Sequence, residues 1–163
     1  MMRRRTAVPA IVAGGAIAGS FDITYAIVFS GIRGVPAIRV LQSVAGGLLG
    51  QAAYEGGLGT AALGLLLHFS IAFTWAAIFY ASSRRIPAMT RQPGASGPLF
   101  GIGIYLVMYF VVIPLSAYPR KVTYTPFLVG INLFVHMFLI GLPIALAARW
   151  AETSAARGTS EVK

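Results

Sequence analysis

The sequence predicts an all-α fold: an integral membrane four-helix bundle, with a short interfacial or re-entrant helix between the first and second spans. Three observations carry this reading. Hydrophobic residues make up 57% of the 163 residues and charged residues only 10%, against about 25% charged in an average soluble domain. Mean hydropathy is +0.78. The few charges are also grouped, leaving long stretches between them. This composition excludes a disordered chain, a nucleic-acid-binding domain and an ordinary cytosolic enzyme. One domain over residues 1–150 fits the length. No cysteine is present, which excludes disulfides, thiolate metal sites and a cysteine nucleophile.

The gaps between charges place the helices. From Thr6 to Ile32 the one charged residue is Asp22, and Gly56 to Ser83, Gln92 to Pro119 and Val122 to Ala148 carry none. Each gap exceeds the ~20 residues that span a hydrocarbon core of ~30 Å. The predicted spans are Val8–Phe29, Gly57–Ala81, Pro98–Tyr118 and Phe127–Arg149. Arg3, Arg4 and Arg5 before the first span read as the flank of an uncleaved signal anchor, because the apolar block runs on to Phe29. Val40 to Tyr54 is uncharged but too short to span. Its apolar residues Ile38, Leu41, Ala45, Leu48 and Leu49 fall at helical spacing, and Pro36 suits a helix start. The glycines from Gly46 to Gly59 permit a sharp return or a close backbone approach. Pro87, Pro93, Gly94 and Gly97 predict an irregular loop. Residues 151–163 predict a flexible cytoplasmic tail.

Positive charge predicts orientation. Arg3, Arg4, Arg5, Arg84, Arg85, Arg91, Arg149, Arg157 and Lys163 fall on the side of the termini, and Arg33, Arg39, Arg120 and Lys121 on the other. The excess places both termini in the cytoplasm. The net charge of +9 therefore reflects membrane topology and no nucleic-acid partner. Tyr54, Tyr80, Tyr118, Tyr124 and Trp150 near the span ends fit an aromatic belt.

Within the first span, Gly15 and Gly19 form a GxxxG pair that permits close helix packing. Asp22 follows Gly19 by three residues and shares its face. In a bundle this thin, the Gly15/Gly19 face is a candidate homo-oligomer contact. Pro114 and Pro143 lie inside spans, and each frees a carbonyl four residues earlier. The preferred reading is a kink that aids packing.

Asp22, His68, Asn132 and His136 are the strongly polar side chains inside the spans, with Glu55 at the edge of the second. An ionised carboxylate at mid-membrane costs about 2.5–3.5 kcal/mol on insertion scales, so such a residue usually has a partner or a use. At 1.5 Å per residue, Asp22 lies about 4.5 Å, His68 about 2 Å and His136 about 3 Å from the midplane. Three ionisable groups from three helices thus share nearly one level. Asn132 precedes His136 by one turn. Several chemistries fit this cluster. One is a proton or ion relay, in which a carboxylate tunes histidine. Another is a metal site of His68, His136 and Asp22, with Glu55 or water as a further ligand. A third is haem between His68 and His136. Against these stands a structural or partner-binding membrane protein with no chemistry, in which Asp22 pairs with a histidine or with Tyr25 and joins helices. No phosphate loop, nucleophile elbow or HExxH is present, so nothing argues for an enzyme. Ser70, Thr74 and Ser116 read as hydroxyls bonded to their own backbone.

The chain resembles small bacterial inner-membrane proteins of the YagU-like kind. The resemblance rests on Gly19-Ser20-Phe21-Asp22, on Val40-Leu41-Gln42-Ser43 leading into Gly46-Gly47-Leu48-Leu49-Gly50, on Leu67-His68-Phe69, on Val112-Ile113-Pro114-Leu115-Ser116, and on His136-Met137-Phe138 with Gly141-Leu142-Pro143-Ile144. It implies a multi-pass protein of the bacterial inner membrane and transfers no catalytic residue.

Overall fold

The computed structural model describes residues 2–119 and 123–160, with side chains from Thr6 to Arg157 over the same stretches. Among the described residues all regular structure is helical. Four helices are long and apolar enough to cross a membrane. The first, α1, is Met2–Gly31. The second, α3, is Gly57–Ser83. The third, α5, is Pro93–Leu115, and the fourth, α6, covers 126–160. Between 17% and 28% of the most apolar window of each span is buried in the protein. The outward faces carry Val8, Leu66, Leu99 and Phe127, each more than 60% exposed. A soluble monomer does not present apolar surface on this scale. The architecture is that of a multi-pass membrane protein, and an even number of crossings puts both termini at one end. Of the charges that predict orientation, Arg3, Arg4, Arg5, Arg120, Lys121 and Lys163 lie outside the described side chains.

Lipid tails are as apolar as leucine, so membrane helices associate through close packing, and small residues set where they touch. In α1, a Cβ on Gly15 would collide with Phe73, and one on Gly19 with Phe69 and Ala72, all on α3. Gly14, beside them, meets Ile144 and Ala147 of α6. The Gly15/Gly19 face is therefore covered within the chain and is not free to join two copies. A second glycine contact joins α5 to α6. Cβ atoms on Gly97, Gly101 and Gly141 would run into Leu142, the His136 backbone and the Gly97 carbonyl. The helices α3 and α5 meet through rings, with Phe100 edge-on to Phe79 at 5.0 Å and to Trp75 at 5.9 Å between centroids.

The connections differ from expectation in three places. The loop expected to be irregular around Pro93, Gly94 and Gly97 is helical from Pro93, because proline at the first helical position loses no hydrogen bond. The short α4, Ala88–Arg91, precedes it, tied to α5 by the Ser96 hydroxyl donating to the Met89 carbonyl at 2.5 Å. The tail expected to fray is helical to Ser160. Ala151 packs on Ala10 and Tyr80, and Glu152 pairs with Arg84 at 3.1 Å. Tyr80 does not stand in a peripheral aromatic belt. It is buried and bonds Thr6 at 2.7 Å.

The short helix α2, Ala37–Leu49, packs into the wall of the bundle and does not lie flat over it. Gly64 faces the Leu41 carbonyl, where a Cβ would not fit. Gly64 is seven residues into α3, about 10 Å from its start. Buried Gln42 donates from Nε2 to the Gly57 carbonyl at 3.0 Å and to Thr60 Oγ1 at 3.3 Å. The Gly47 carbonyl accepts from Ala117 N–H at 2.9 Å, beyond the end of α5. A 3-10 turn, Gly50–Tyr54, leads back to α3, with Gly50 and Gly57 at φ +61° and +56°, where an L side chain is strained.

Two of the prolines within the spans follow a change of helix type. Met108–Val112 and His136–Gly141 are π-helical, and each stretch ends two residues before a proline, Pro114 or Pro143. A proline ring clashes with the carbonyl four residues earlier and removes one hydrogen bond, and a wider turn relieves both.

The glycine contacts give a paired test. Gly64→Ala places a methyl against the Leu41 backbone and should lower the thermal midpoint in detergent by roughly 3–10 °C, from an overpacking cost of about 1–3 kcal/mol. Gly59→Ala, where a Cβ meets nothing within 4 Å, should leave the midpoint unchanged or raise it.

Candidate functional site

A cavity of about 270 Å³ lies inside the bundle, reached by residues of α1, α2, α3, α5 and α6. Asp22 enters from α1, His68 from α3, and Asn132 and His136 from α6. Asp22 keeps 31% of its side-chain surface accessible, against 11% for His68, because its carboxylate opens onto the cavity.

Gly19 brings the first pair together. Its missing side chain lets α3 approach at Phe69 and Ala72. The neighbouring His68 then reaches the Gly19 carbonyl with Nε2 at 2.8 Å. A carbonyl only accepts, so Nε2 carries the proton and donates. That bond turns Nδ1 toward Asp22, 3.9 Å from Oδ2. The separation is beyond the 2.7–2.9 Å of a charge-assisted hydrogen bond and leaves space for movement or a bridging water.

His136 is oriented in the same manner. Its Nδ1–H donates to the Asn132 carbonyl at 2.8 Å. The Tyr105 and Tyr109 rings hold it edge-on at 5.5 and 6.0 Å. The π-helical turn and the contact of Gly101 with the His136 backbone fix its position. Asp22 lies within electrostatic reach of both histidines. Asn132 donates from Nδ2 to the Leu128 carbonyl at 2.7 Å, which leaves Oδ1 as its available acceptor.

Two residues singled out in the sequence take other places. Glu55 is exposed beyond the 3-10 turn and does not reach the cavity. A few residues' error in estimated depth suffices to misplace a group at a span edge. Tyr25 lines the cavity but does not pair with Asp22. Its buried hydroxyl has no hydrogen-bond partner among the described residues. Ser70, Thr74 and Ser116 bond their own backbone.

Among the described residues no three of His, Asp and Glu converge in a way that would hold a metal ion. The proposed set of His68, His136 and Asp22 is therefore not a metal-ligand arrangement, and Glu55 cannot complete it. The cavity, about 270 Å³, is smaller than the ~300–1,000 Å³ of pockets for drug-sized ligands. Trp75 and Tyr109 also line the cavity, and neither stood out in the sequence. The adjacency of Tyr109 to Pro114 and its π-helical turn was the available signal. Comparisons with protein-family models, with curated proteins and with solved structures found no match.

The unpartnered hydroxyl gives a test. Tyr25→Phe removes a buried polar atom with no hydrogen-bond partner among the described residues, so the thermal midpoint should hold or rise by roughly 2–4 °C, for about 1 kcal/mol. A clear fall would mean that a cavity water normally satisfies this hydroxyl.

Proposed function

We propose that this is a small multi-pass protein of the bacterial inner membrane that handles protons through Asp22 and His68, with His136 as a further proton acceptor in the same cavity. The observation that carries the reading is the 3.9 Å gap between His68 Nδ1 and Asp22 Oδ2, with His68 held by its other nitrogen. A structural clamp would close this gap to hydrogen-bond length. A fixed imidazole with one free nitrogen beside a carboxylate in a cavity instead suits proton exchange. The proton leaves the carboxyl oxygen for Nδ1, directly after a small swing or through one water, and returns by the same route. His136 Nε2, the nitrogen not engaged by Asn132, provides a second acceptor.

The bacterial inner membrane rests on the YagU-like resemblance. The excess of arginine at the terminal end supports cytoplasmic termini. Because the chain has no cysteine, single cysteines report topology cleanly. A cysteine at exposed Ala52 should react with a membrane-impermeant maleimide in intact cells. One at exposed Ser154 should react only after permeabilisation. The reverse pattern would invert the orientation.

For function, the purified protein in liposomes should dissipate an imposed pH gradient. Asp22→Asn, with unchanged thermal midpoint, should reduce that flux by about tenfold or more, the usual scale for loss of a proton-transfer group. Equal flux in the wild type, Asp22→Asn and empty liposomes would remove the proton reading and leave a structural cluster.

A further inference from the structure

The polar groups around the cavity share a pattern that the proton reading does not use. Three side chains that could offer N–H groups to a ligand direct one elsewhere. His68 gives Nε2–H to the Gly19 carbonyl, His136 gives Nδ1–H to the Asn132 carbonyl, and Asn132 gives an Nδ2–H to the Leu128 carbonyl. What remains for the cavity is mainly acceptors: the Asp22 carboxylate, the second nitrogen of each imidazole, and Asn132 Oδ1. The Tyr25 hydroxyl, buried and unpartnered, adds an oxygen that accepts or donates. Aromatic rings of Trp75 and Tyr109 form further wall. The described side chains around the cavity include no lysine or arginine.

Most of the wall is apolar, with Val44, Ile71, Ile104 and Ile113 among its residues, and its few polar groups are a carboxylate and acceptors. This is complementary to a small cation with several N–H donors and a short alkyl chain: the carboxylate balances its charge, the acceptors take its N–H groups, and the apolar wall takes the chain. Hard metal ions prefer several oxygen ligands, and the protein supplies few here. The volume of about 270 Å³ limits the ligand to a compact amine. We infer that the cavity binds a small primary alkylammonium ion, with Asp22 as its counter-ion. This rests on the same assignment of Asp22 as the cavity's ionisable group that the proton reading uses, so that ammonium and proton occupy one carboxylate in turn, but it does not require proton flux across the membrane.

The test is calorimetric titration of the detergent-purified full chain with n-propylammonium chloride, with 1-propanol, tetramethylammonium chloride and sodium chloride as comparisons. The expected result is saturable binding of propylammonium, none of 1-propanol or sodium, and weaker binding of tetramethylammonium, which has no N–H donor. Asp22→Asn should weaken propylammonium binding by about tenfold or more, because it removes a charge-assisted hydrogen bond. Absence of saturable propylammonium binding, an equal response to sodium, or tetramethylammonium binding as tightly as propylammonium would overturn the inference. The wild-type comparisons decide it even where Asp22→Asn does not fold. Flux measured without amine separates the two readings. Proton flux with no propylammonium binding overturns the ammonium site alone. Propylammonium binding with no flux upholds the site and removes the proton reading.

Discussion

Close contact between backbones at glycine is the constraint on which the bundle depends. Between membrane helices the hydrophobic effect gives little preference for one neighbour over another. The choice falls to positions where a missing Cβ lets two helices approach. Gly15 and Gly19 select α3, and Gly97, Gly101 and Gly141 close α5 onto α6. With those contacts set, α3 and α5 are left facing each other across a wider gap, bridged by Phe100 against Trp75 and Phe79. The cavity occupies that gap. It follows from having glycine at two helix pairs and aromatic rings at the third.

The same glycines orient the polar groups. The contact of Gly19 with α3 brings its carbonyl within reach of His68. The contact of Gly101 with the His136 backbone holds the π-helical turn that carries the second imidazole. Pro143 acts from the other side by disrupting the ladder of hydrogen bonds at that turn. Packing and site are therefore coupled, and a methyl group added at Gly19 or Gly101 would shift a histidine as well as a helix.

This coupling explains what was legible in the sequence. The four spans were readable because charge-free length is set by the cost of placing ions in hydrocarbon. Their ends were less so, since hydropathy does not decide whether a helix continues past the membrane. After Trp150 the chain alternates good helix formers (Ala, Glu, Arg) with weak ones (Thr, Ser, Gly), and it stays helical to Ser160, anchored by Ala151 on Ala10 and Tyr80 and by Glu152 on Arg84. Asp22, His68 and His136 stood out because ionisable residues are few in apolar spans, and the structure brings them to one cavity. Glu55 stood out for the same reason but lies at an edge, where depth is least determined. Gly97 read as a loop breaker because GxxxG with Gly101 begins only four residues after a proline. The acceptor character of the cavity had no sequence signature. It depends on which backbone carbonyl each imidazole meets, and that is a property of helix contacts.

The cavity has unlike ends. Toward the termini it meets Phe79, Ile144, Ala145 and Ala148, each at most 2% exposed, with Ala10, Tyr80 and Ala151 packed beyond them. Separating that layer would expose apolar side chains to water at roughly 25 cal/mol per Å². At the other end lies α2, with Val44 in the cavity wall. It is held by polar bonds, from Gln42 to Gly57 and Thr60, Arg39 to the Tyr54 carbonyl at 2.9 Å, and Ala117 to Gly47, and by close packing of Leu41 on Gly64 with Val40 and Ala45 buried. Each hydrogen bond contributes about 0.5–1.5 kcal/mol net. The positive-φ glycines 50 and 57 flank the connection from α2 to α3, where the backbone has most conformational freedom. The two ends of the cavity therefore differ in kind: mixed polar and packing contacts hold the α2 end, and an apolar layer separates Asp22 from the side of the termini.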